Sequence, residues 1–111
     1  LLACDNTFAT PVLQQPITLG ADIVMHSTTK YFGGHSDVLG GALVFAKRDG
    51  FHDAVFHRRH ITGAVISPFN AWLVLRGARS LPARMAWHCR NARAIAAFLA
   101  AHPAIEAVHY P

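Results

Sequence analysis

Three short apolar runs divide the first half of the chain, and each has the length of a β-strand rather than of a helix. They cover Leu1 to Cys4, Ala21 to His26 and Gly41 to Ala46. The first run ends at Asp5, and continuous apolar runs of this kind are typical of strands buried on both faces of a parallel sheet. The segments between the runs are loops or short helical turns, such as Pro16 to Gly20. The pattern therefore predicts an α/β fold with three strands.

The second half of the chain carries helix signals instead. Phe51 to Arg59 predicts a short helix. Ser67 followed by Pro68 is typical of a helix start, because the serine can cap free backbone N–H groups and proline suits the first helical position. Gly77 can end this helix. We therefore expect the three strands to be followed by helices.

A long helix is predicted after Ser80, which can cap it, with Pro82 in its first turn. Five apolar residues then follow at spacings that place them on one helical face, and they are Met85, Cys89, Ala92, Ala96 and Leu99. Pro103 stops the pattern, so the helix has about 20 residues and a length of roughly 30 Å. Ile105 to Tyr110 alternates between apolar and polar residues, which predicts the first strand of a new unit.

Composition excludes several classes of protein. Hydrophobic residues make up 52% of the chain and charged residues 14%, a balance too apolar for a disordered segment. No apolar stretch approaches the ~20 residues that span a bilayer, and Leu1 to Asp5 lacks the features of a signal peptide. The chain has no initiator Met, so we expect an internal fragment of a longer protein. Cys4 and Cys89 lie in apolar patterns, which indicates reduced thiols in a cytoplasmic protein.

The charge of the chain is basic and unevenly distributed. No acidic residue lies between Asp53 and Glu106, whereas seven arginines do: Arg58, Arg59, Arg76, Arg79, Arg84, Arg90 and Arg93. A nucleic-acid surface is disfavoured, because these arginines are spread over helix faces without interleaved exposed aromatic residues. We expect them to pair with acidic groups in segments absent from this sequence or in neighbouring subunits. His52, His57 and His60 share a helical stretch that offers no complete tetrahedral ligand set, so we predict no metal site.

The stretch from Asp22 to Tyr31 carries the most chemistry, because a predicted strand passes there into a turn with three hydroxyl residues followed by Lys30. Lysine can form a Schiff base with an aldehyde, and the hydroxyls can bind a phosphate. Asp5 ends the neighbouring strand, and parallel strands bring their carboxyl ends to one edge of a sheet, where ligands bind. A carboxylate there could keep a pyridinium nitrogen protonated. On pattern alone, a helix cap with a surface lysine is the commoner origin of such a motif.

Longer motifs resemble a known family. They are Asp5-Asn6-Thr7-Phe8, Leu19-Gly20-Ala21-Asp22, His26-Ser27-x-Thr29-Lys30-Tyr31, Gly34-His35-Ser36-Asp37, Ser67-Pro68-Phe69-Asn70-Ala71-Trp72-Leu73 and His109-Tyr110-Pro111. In this order, and over essentially the whole chain, they are similar to the cysteine/methionine-metabolism family of pyridoxal-phosphate (PLP) enzymes. That family includes cystathionine γ-synthase, cystathionine γ- and β-lyases, methionine γ-lyase and the O-acyl-homoserine sulfhydrylases.

The resemblance implies a role for individual residues. Lys30 would be the Schiff-base lysine, which also shuttles protons between substrate carbons. Asp5 would pair with the pyridine nitrogen of PLP, and Ser27 and Thr29 would hold the phosphate. Thr7 is a weaker candidate for a place near the ring.

The resemblance also implies the fold and the activity. The fold would be part of the type I aminotransferase-like large domain, over residues 1–103 with a linker helix, with residues 104–111 beginning the small C-terminal domain. The function would be trans-sulfuration on a sulfur-containing or O-acylated amino acid, most like cystathionine γ-synthase or γ-lyase. Methionine γ-lyase and O-acyl-homoserine sulfhydrylase activities are the alternatives, and a homotetramer is implied. A basic helical interaction module, without catalysis, is the alternative from a different class.

Overall fold

The computed structural model of the chain describes all residues from 1 to 111. Three strands, β1 (Ala3–Asp5), β2 (Ile23–Ser27) and β3 (Gly41–Phe45), form one sheet in the order β1-β2-β3. Four α-helices accompany them, and they are α1 (Thr10–Leu13), α2 (Gly50–Thr62), α3 (Pro68–Ala78) and α4 (Leu81–Ala100). The predicted α/β class, with three strands followed by helices, is confirmed.

β1 and β2 run parallel, as the apolar runs predicted. Cys4 lies opposite Val24 and Asp5 lies opposite Met25. β1 begins two residues later than expected, and its side chains are exposed or half-buried rather than buried on both faces. The prediction that the first strand is buried on both faces is therefore wrong for residues 1–111. β1 forms the edge of this sheet and has a neighbouring strand on one side only.

β3 runs antiparallel to β2, with Phe45 opposite Ile23 and Gly41 opposite Ser27. This direction has a consequence for the site. The amino end of β3 meets the carboxyl ends of β1 and β2 at one edge of the sheet. Three chain segments that are distant in sequence therefore converge there.

A turn of π-helix, Thr28–Phe32, follows β2 directly, where the sequence predicted a long loop. We call it the lysine turn. The Gly33 N–H donates to the Thr28 carbonyl at 2.9 Å, and the Gly34 N–H donates to the Lys30 carbonyl at 2.8 Å. Lys30 itself departs from helical geometry, at φ −88° and ψ −119°. A second local difference is α1, a single helical turn within a segment predicted as loop or short turn.

The predicted starts of α3 and α4 are confirmed, but Gly77 does not end α3 as predicted, because the helix continues through Gly77 to Ala78. The Ser67 hydroxyl accepts the Asn70 N–H at 3.2 Å and caps α3, which Pro68 begins. α2 is longer than predicted at both ends, since Asp49 caps it and Gly63, at φ +68°, ends it. The apolar face predicted for α4 is its more buried face, with Met85 fully buried and the other four members half-buried.

Contacts divide the chain into two compact units, Leu1–Leu81 and Pro82–Pro111. The first contains the sheet and a small core that includes Ala21, Ile23, Val24, Val38 and Leu73. The strand predicted at 105–110 is wrong, because those residues have no strand partner and form no strand. No helix is both long and apolar enough to cross a membrane.

Candidate active site

The residues predicted from sequence to hold a cofactor lie at one edge of the sheet. Asp5 is the last residue of β1, and Ser27 is the last residue of the parallel strand β2. Thr29 and Lys30 follow within the lysine turn. The topology thus brings together residues more than 20 positions apart in the sequence, at the strand ends where α/β sheets bind ligands.

Thr7 connects the two strand ends. Its backbone N–H donates to Asp5 Oδ1 at 3.0 Å, and its hydroxyl oxygen accepts the Ser27 N–H at 2.8 Å. The side chain is buried, with 6% exposed. The sequence predicted only a minor role for Thr7. In the structure, Thr7 links Asp5 to Ser27 through its two hydrogen bonds. The signal that could have found it is a threonine two residues after an aspartate, which is typical of an Asx turn.

Asp5 is set up to stay ionised. Hydrogen bonds from the Thr7 side chain, and then from the Thr7 backbone, hold the pKa of the Asp5 carboxyl below its usual value, with a smaller contribution from His26. Hydrogen bonds that favour the charged form of a carboxyl have this effect. The edge of the sheet therefore presents a carboxylate that can accept an N–H from a cationic ring.

The Thr29 hydroxyl is engaged by the loop that leads into β3. It accepts the Gly40 N–H at 3.0 Å and donates to the Gly40 carbonyl at 3.2 Å. A hydroxyl has one proton to donate. If Thr29 donates to a phosphate oxygen, its bond to the Gly40 carbonyl must open, while the bond from the Gly40 N–H can remain. Ser27 is half-buried.

Lys30 presents its side chain to solvent, at the point where the lysine turn leaves helical geometry. The Gly34 N–H holds its carbonyl oxygen. The non-helical backbone interrupts the turn at this one residue. An accessible amine on a residue whose carbonyl oxygen is held by a hydrogen bond can react with an aldehyde cofactor.

Three buried polar side chains next to this edge were not predicted from the sequence to belong to the site. Asn6, His26 and Thr28 are at most 5% exposed, and they line a mostly apolar cavity of about 450 Å³. Each has a buried side-chain atom without a hydrogen-bond partner, namely Asn6 Oδ1, His26 Nδ1 and Thr28 Oγ1. Burial lowers the pKa of His26, while Asp5 raises it to a smaller extent. Strand alternation could have placed His26 on the sheet face opposite Ser27.

The histidine stretch on α2 contains one short side-chain contact. His52 Nδ1 lies 2.9 Å from Asp53 Oδ1, a pair that the sequence reasoning left out. No three His, Cys, Asp or Glu side chains come together anywhere in the structure. The free thiols of Cys4 and Cys89 are half-buried.

Comparison with known proteins agrees with the resemblance. Residues 1–111 match the family described as Cys/Met metabolism PLP-dependent enzyme. A probable cystathionine γ-synthase of Herpetosiphon aurantiacus is 55% identical over 107 residues, which are 96% of this chain and 33% of that protein. A cystathionine γ-lyase of Bacillus subtilis is 50% identical over 111 residues, which are 100% of this chain and 29% of that protein. The chain thus spans a third or less of the length of these relatives.

The fold agrees as well. The crystal structure of a cystathionine γ-lyase from Micromonospora echinospora matches 98% of this chain and 29% of its own chain, with a TM-score of 0.88 and 47% identity. The chain belongs to the Cys/Met metabolism family of PLP-dependent enzymes. Its own donor set fits that cofactor, because an ionised carboxylate suits a protonated ring nitrogen, hydroxyls suit a phosphate and an exposed amine suits an aldehyde.

Proposed function

We propose that the chain is the cofactor-lysine segment of a PLP-dependent lyase or transferase of sulfur amino-acid metabolism. The observation that carries this proposal is the bridge at Thr7, which holds an ionised Asp5 against the end of β2, immediately before the lysine turn. A helix cap with a surface lysine would not need a carboxylate held at that position. The interaction-module alternative is not favoured, because the relatives are enzymes by name.

Each residue at the edge has a proposed role. Asp5 would accept the N–H of the pyridine ring and keep that nitrogen protonated. Ser27 and Thr29 would donate hydrogen bonds to the phosphate, and Lys30 Nζ would condense with the aldehyde, whose oxygen leaves as water. PLP, when bound, supplies an electron sink for charge that develops at the substrate α-carbon. When it is not bonded to the cofactor, Lys30 Nζ would move protons between substrate carbons.

The substrate is proposed to be a sulfur-containing or O-acylated amino acid, and the reaction β- or γ-elimination or γ-replacement. Cystathionine γ-synthase or γ-lyase chemistry is favoured, because relatives at 50–55% identity carry both names. Methionine γ-lyase and O-acyl-homoserine sulfhydrylase activities are the runner-up reactions. These reactions share early proton removal at the α-carbon, which Lys30 can serve in every case.

The lysine assignment is tested by reductive trapping. Borohydride reduction of the full-length protein with PLP should fix the cofactor on Lys30, which peptide mass spectrometry identifies. Lys47 is an internal control, because it is the only other lysine of residues 1–111. Trapping that persists in a Lys30→Ala variant, or that moves to Lys47, would show that the assignment is wrong.

The reaction is tested by products. The full-length protein is incubated separately with cystathionine, with methionine and with O-succinylhomoserine plus cysteine. Cystathionine formed in the third mixture indicates the synthase, and 2-oxobutyrate released from cystathionine indicates the γ-lyase. Release of methanethiol from methionine would favour the runner-up. No product from any of the three would contradict the proposed function.

Assembly and location complete the proposal. We expect a homotetramer for the full-length protein, as the family resemblance implies. Light scattering of the full-length protein measures its mass and checks this. A cytoplasmic location agrees with the two unpaired thiols.

A further inference from the structure

Helix α3 crosses the lysine turn at a glycine. A Cβ added at Gly77 would overlap the carbonyl oxygens of Phe32 and Gly33, and it would lie 2.9 Å from the carbonyl carbon of Gly33. Gly77 is buried and has ordinary helical backbone, so conformational freedom does not explain the glycine. The requirement is close approach, with the backbone of α3 lying directly on the backbone at the end of the turn.

Arg76, the residue before Gly77, forms an ion pair with the segment that follows the lysine turn. Arg76 Nη2 donates to Asp37 Oδ2 at 2.8 Å, and the two residues are 39 positions apart. Asp37 lies in the loop that continues from the lysine turn towards β3. Gly77 and Arg76, which are adjacent in α3, therefore contact the segment that follows Lys30 at two places. The contact of Gly77 is steric, and that of Arg76 is electrostatic.

These contacts reach Lys30 through short backbone hydrogen bonds. The Gly33 N–H is bonded to Thr28, and the Gly34 N–H is bonded to the carbonyl of Lys30 itself. Gly33 is also tightly enclosed, since a Cβ there would lie 2.5 Å from Val38 Cγ1 and 3.0 Å from the Thr28 carbonyl oxygen. If the backbone of Phe32 and Gly33 is displaced by α3, we therefore expect the Lys30 backbone to move with it. The residues between them are held by hydrogen bonds and close packing.

We infer that Gly77 and Arg76 are positioning residues for the Lys30 amine. They act by fixing the segment from Phe32 to Asp37 against α3. This inference rests on the proposed function of Lys30 for its catalytic consequence, but the positioning itself is a property of these residues.

The steric contact is tested with Gly77→Ala and a matched control, Gly50→Ala, in the full-length protein. The added methyl group at Gly77 has to move by roughly 1 Å to reach an ordinary C···O separation of about 3.3 Å. At Gly50, in α2, nothing lies within 4 Å of an added Cβ. Because a misplacement of about 1 Å can cost about 100-fold in rate, we expect kcat/KM to fall about 100-fold in Gly77→Ala and to stay unchanged in Gly50→Ala.

A second readout does not depend on turnover. In the cofactor-free protein, an amine-reactive reagent labels Lys30 and Lys47, and peptide mass spectrometry gives the ratio of the two rates as a function of pH. Lys47 is the internal reference. We expect the ratio to change several-fold in Gly77→Ala and not in Gly50→Ala. A merely destabilised protein would not change the ratio below its melting temperature.

The ion pair gives a variant that keeps the fold, because both side chains are partly exposed and such pairs contribute little to stability. Asp37→Asn and Arg76→Gln should each shift the Lys30-to-Lys47 ratio, and the double exchange Asp37→Arg with Arg76→Asp should restore it. Unchanged ratios in a folded Gly77→Ala protein, or in both single ion-pair variants, would overturn the inference. A changed ratio in a protein without turnover on any substrate would instead contradict the proposed function alone.

Discussion

At the scale of single residues, Thr7 shows how one side chain can serve two strands. Its hydroxyl accepts from Ser27, and that leaves the hydroxyl proton for Asp5. The lowered pKa of Asp5 is therefore a product of sheet pairing as much as of local sequence. Local sequence alone showed Asp5 and Ser27 as separate candidates, and only the parallel register brought Thr7 between them.

Replacing Thr7 should move the pKa of Asp5. Thr7→Val removes the hydroxyl hydrogen bond and keeps the shape, so we expect the pKa of Asp5 to rise towards its usual value of 3.8. Thr7→Ser keeps the hydroxyl and should retain the low pKa. NMR titration of the Asp5 carboxyl carbon measures both. An equal pKa in the two variants would show that the backbone N–H of Thr7 is sufficient.

His26 should make stability depend on pH. Burial lowers its pKa in the folded chain, whereas the unfolded chain binds the proton near pH 6.5. The unfolded state therefore binds more protons below that pH, and stability falls as the pH drops from about 6.5 towards the folded pKa. His26→Gln should reduce the difference in urea midpoint between pH 7.5 and 5.5. His57→Gln, at an exposed position on α2, should leave that difference as it is.

At the scale of elements, the features that could be predicted are the ones that depend on neighbours in sequence. Ser67 and Pro68 begin α3 because a cap needs only the next turn of chain, and the more buried face of α4 follows from spacing alone. The direction of β3 and the absence of a strand at 105–110 depend on partners, which no local pattern contains. The lysine turn was missed because its i to i+5 hydrogen bond has no distinct sequence signal.

Removal of the α3 cap should weaken that helix measurably. Ser67→Ala leaves the Asn70 N–H without its acceptor, so we expect the free energy of unfolding to fall by about 1 kcal/mol. Ser67→Asp keeps an acceptor at the same position and should retain most of the stability. Urea unfolding followed by circular dichroism compares the two. A neutral Ser67→Ala variant would mean that packing, and not the cap, fixes where α3 begins.

At the scale of the whole molecule, residues 1–111 leave much apolar surface uncovered. On α4, the side chains of Trp87, Ile95 and Phe98 are all more than half exposed. The Arg90 guanidinium lies 3.3 Å from the centre of the Trp87 ring. The expectation that no exposed aromatic residue lies among the arginines is therefore wrong. Extended exposed apolar surface marks places where other protein packs, which agrees with a chain that spans a third or less of its relatives.

Because residues 1–111 span only part of the length of their relatives, we expect them to show no turnover on their own. Asp5 and Lys30 are both exposed in residues 1–111, so these residues alone do not exclude water from the site, and closing a site against water strengthens the interactions inside it. We expect purified 1–111 to release no keto acid from cystathionine under conditions in which the full-length protein does. Mixing the two proteins controls for inhibition by the shorter one. Turnover by 1–111 that disappears in Lys30→Ala would contradict this expectation. Residues 1–111, with Asp5, Ser27, Thr29 and Lys30, would then be sufficient for the reaction.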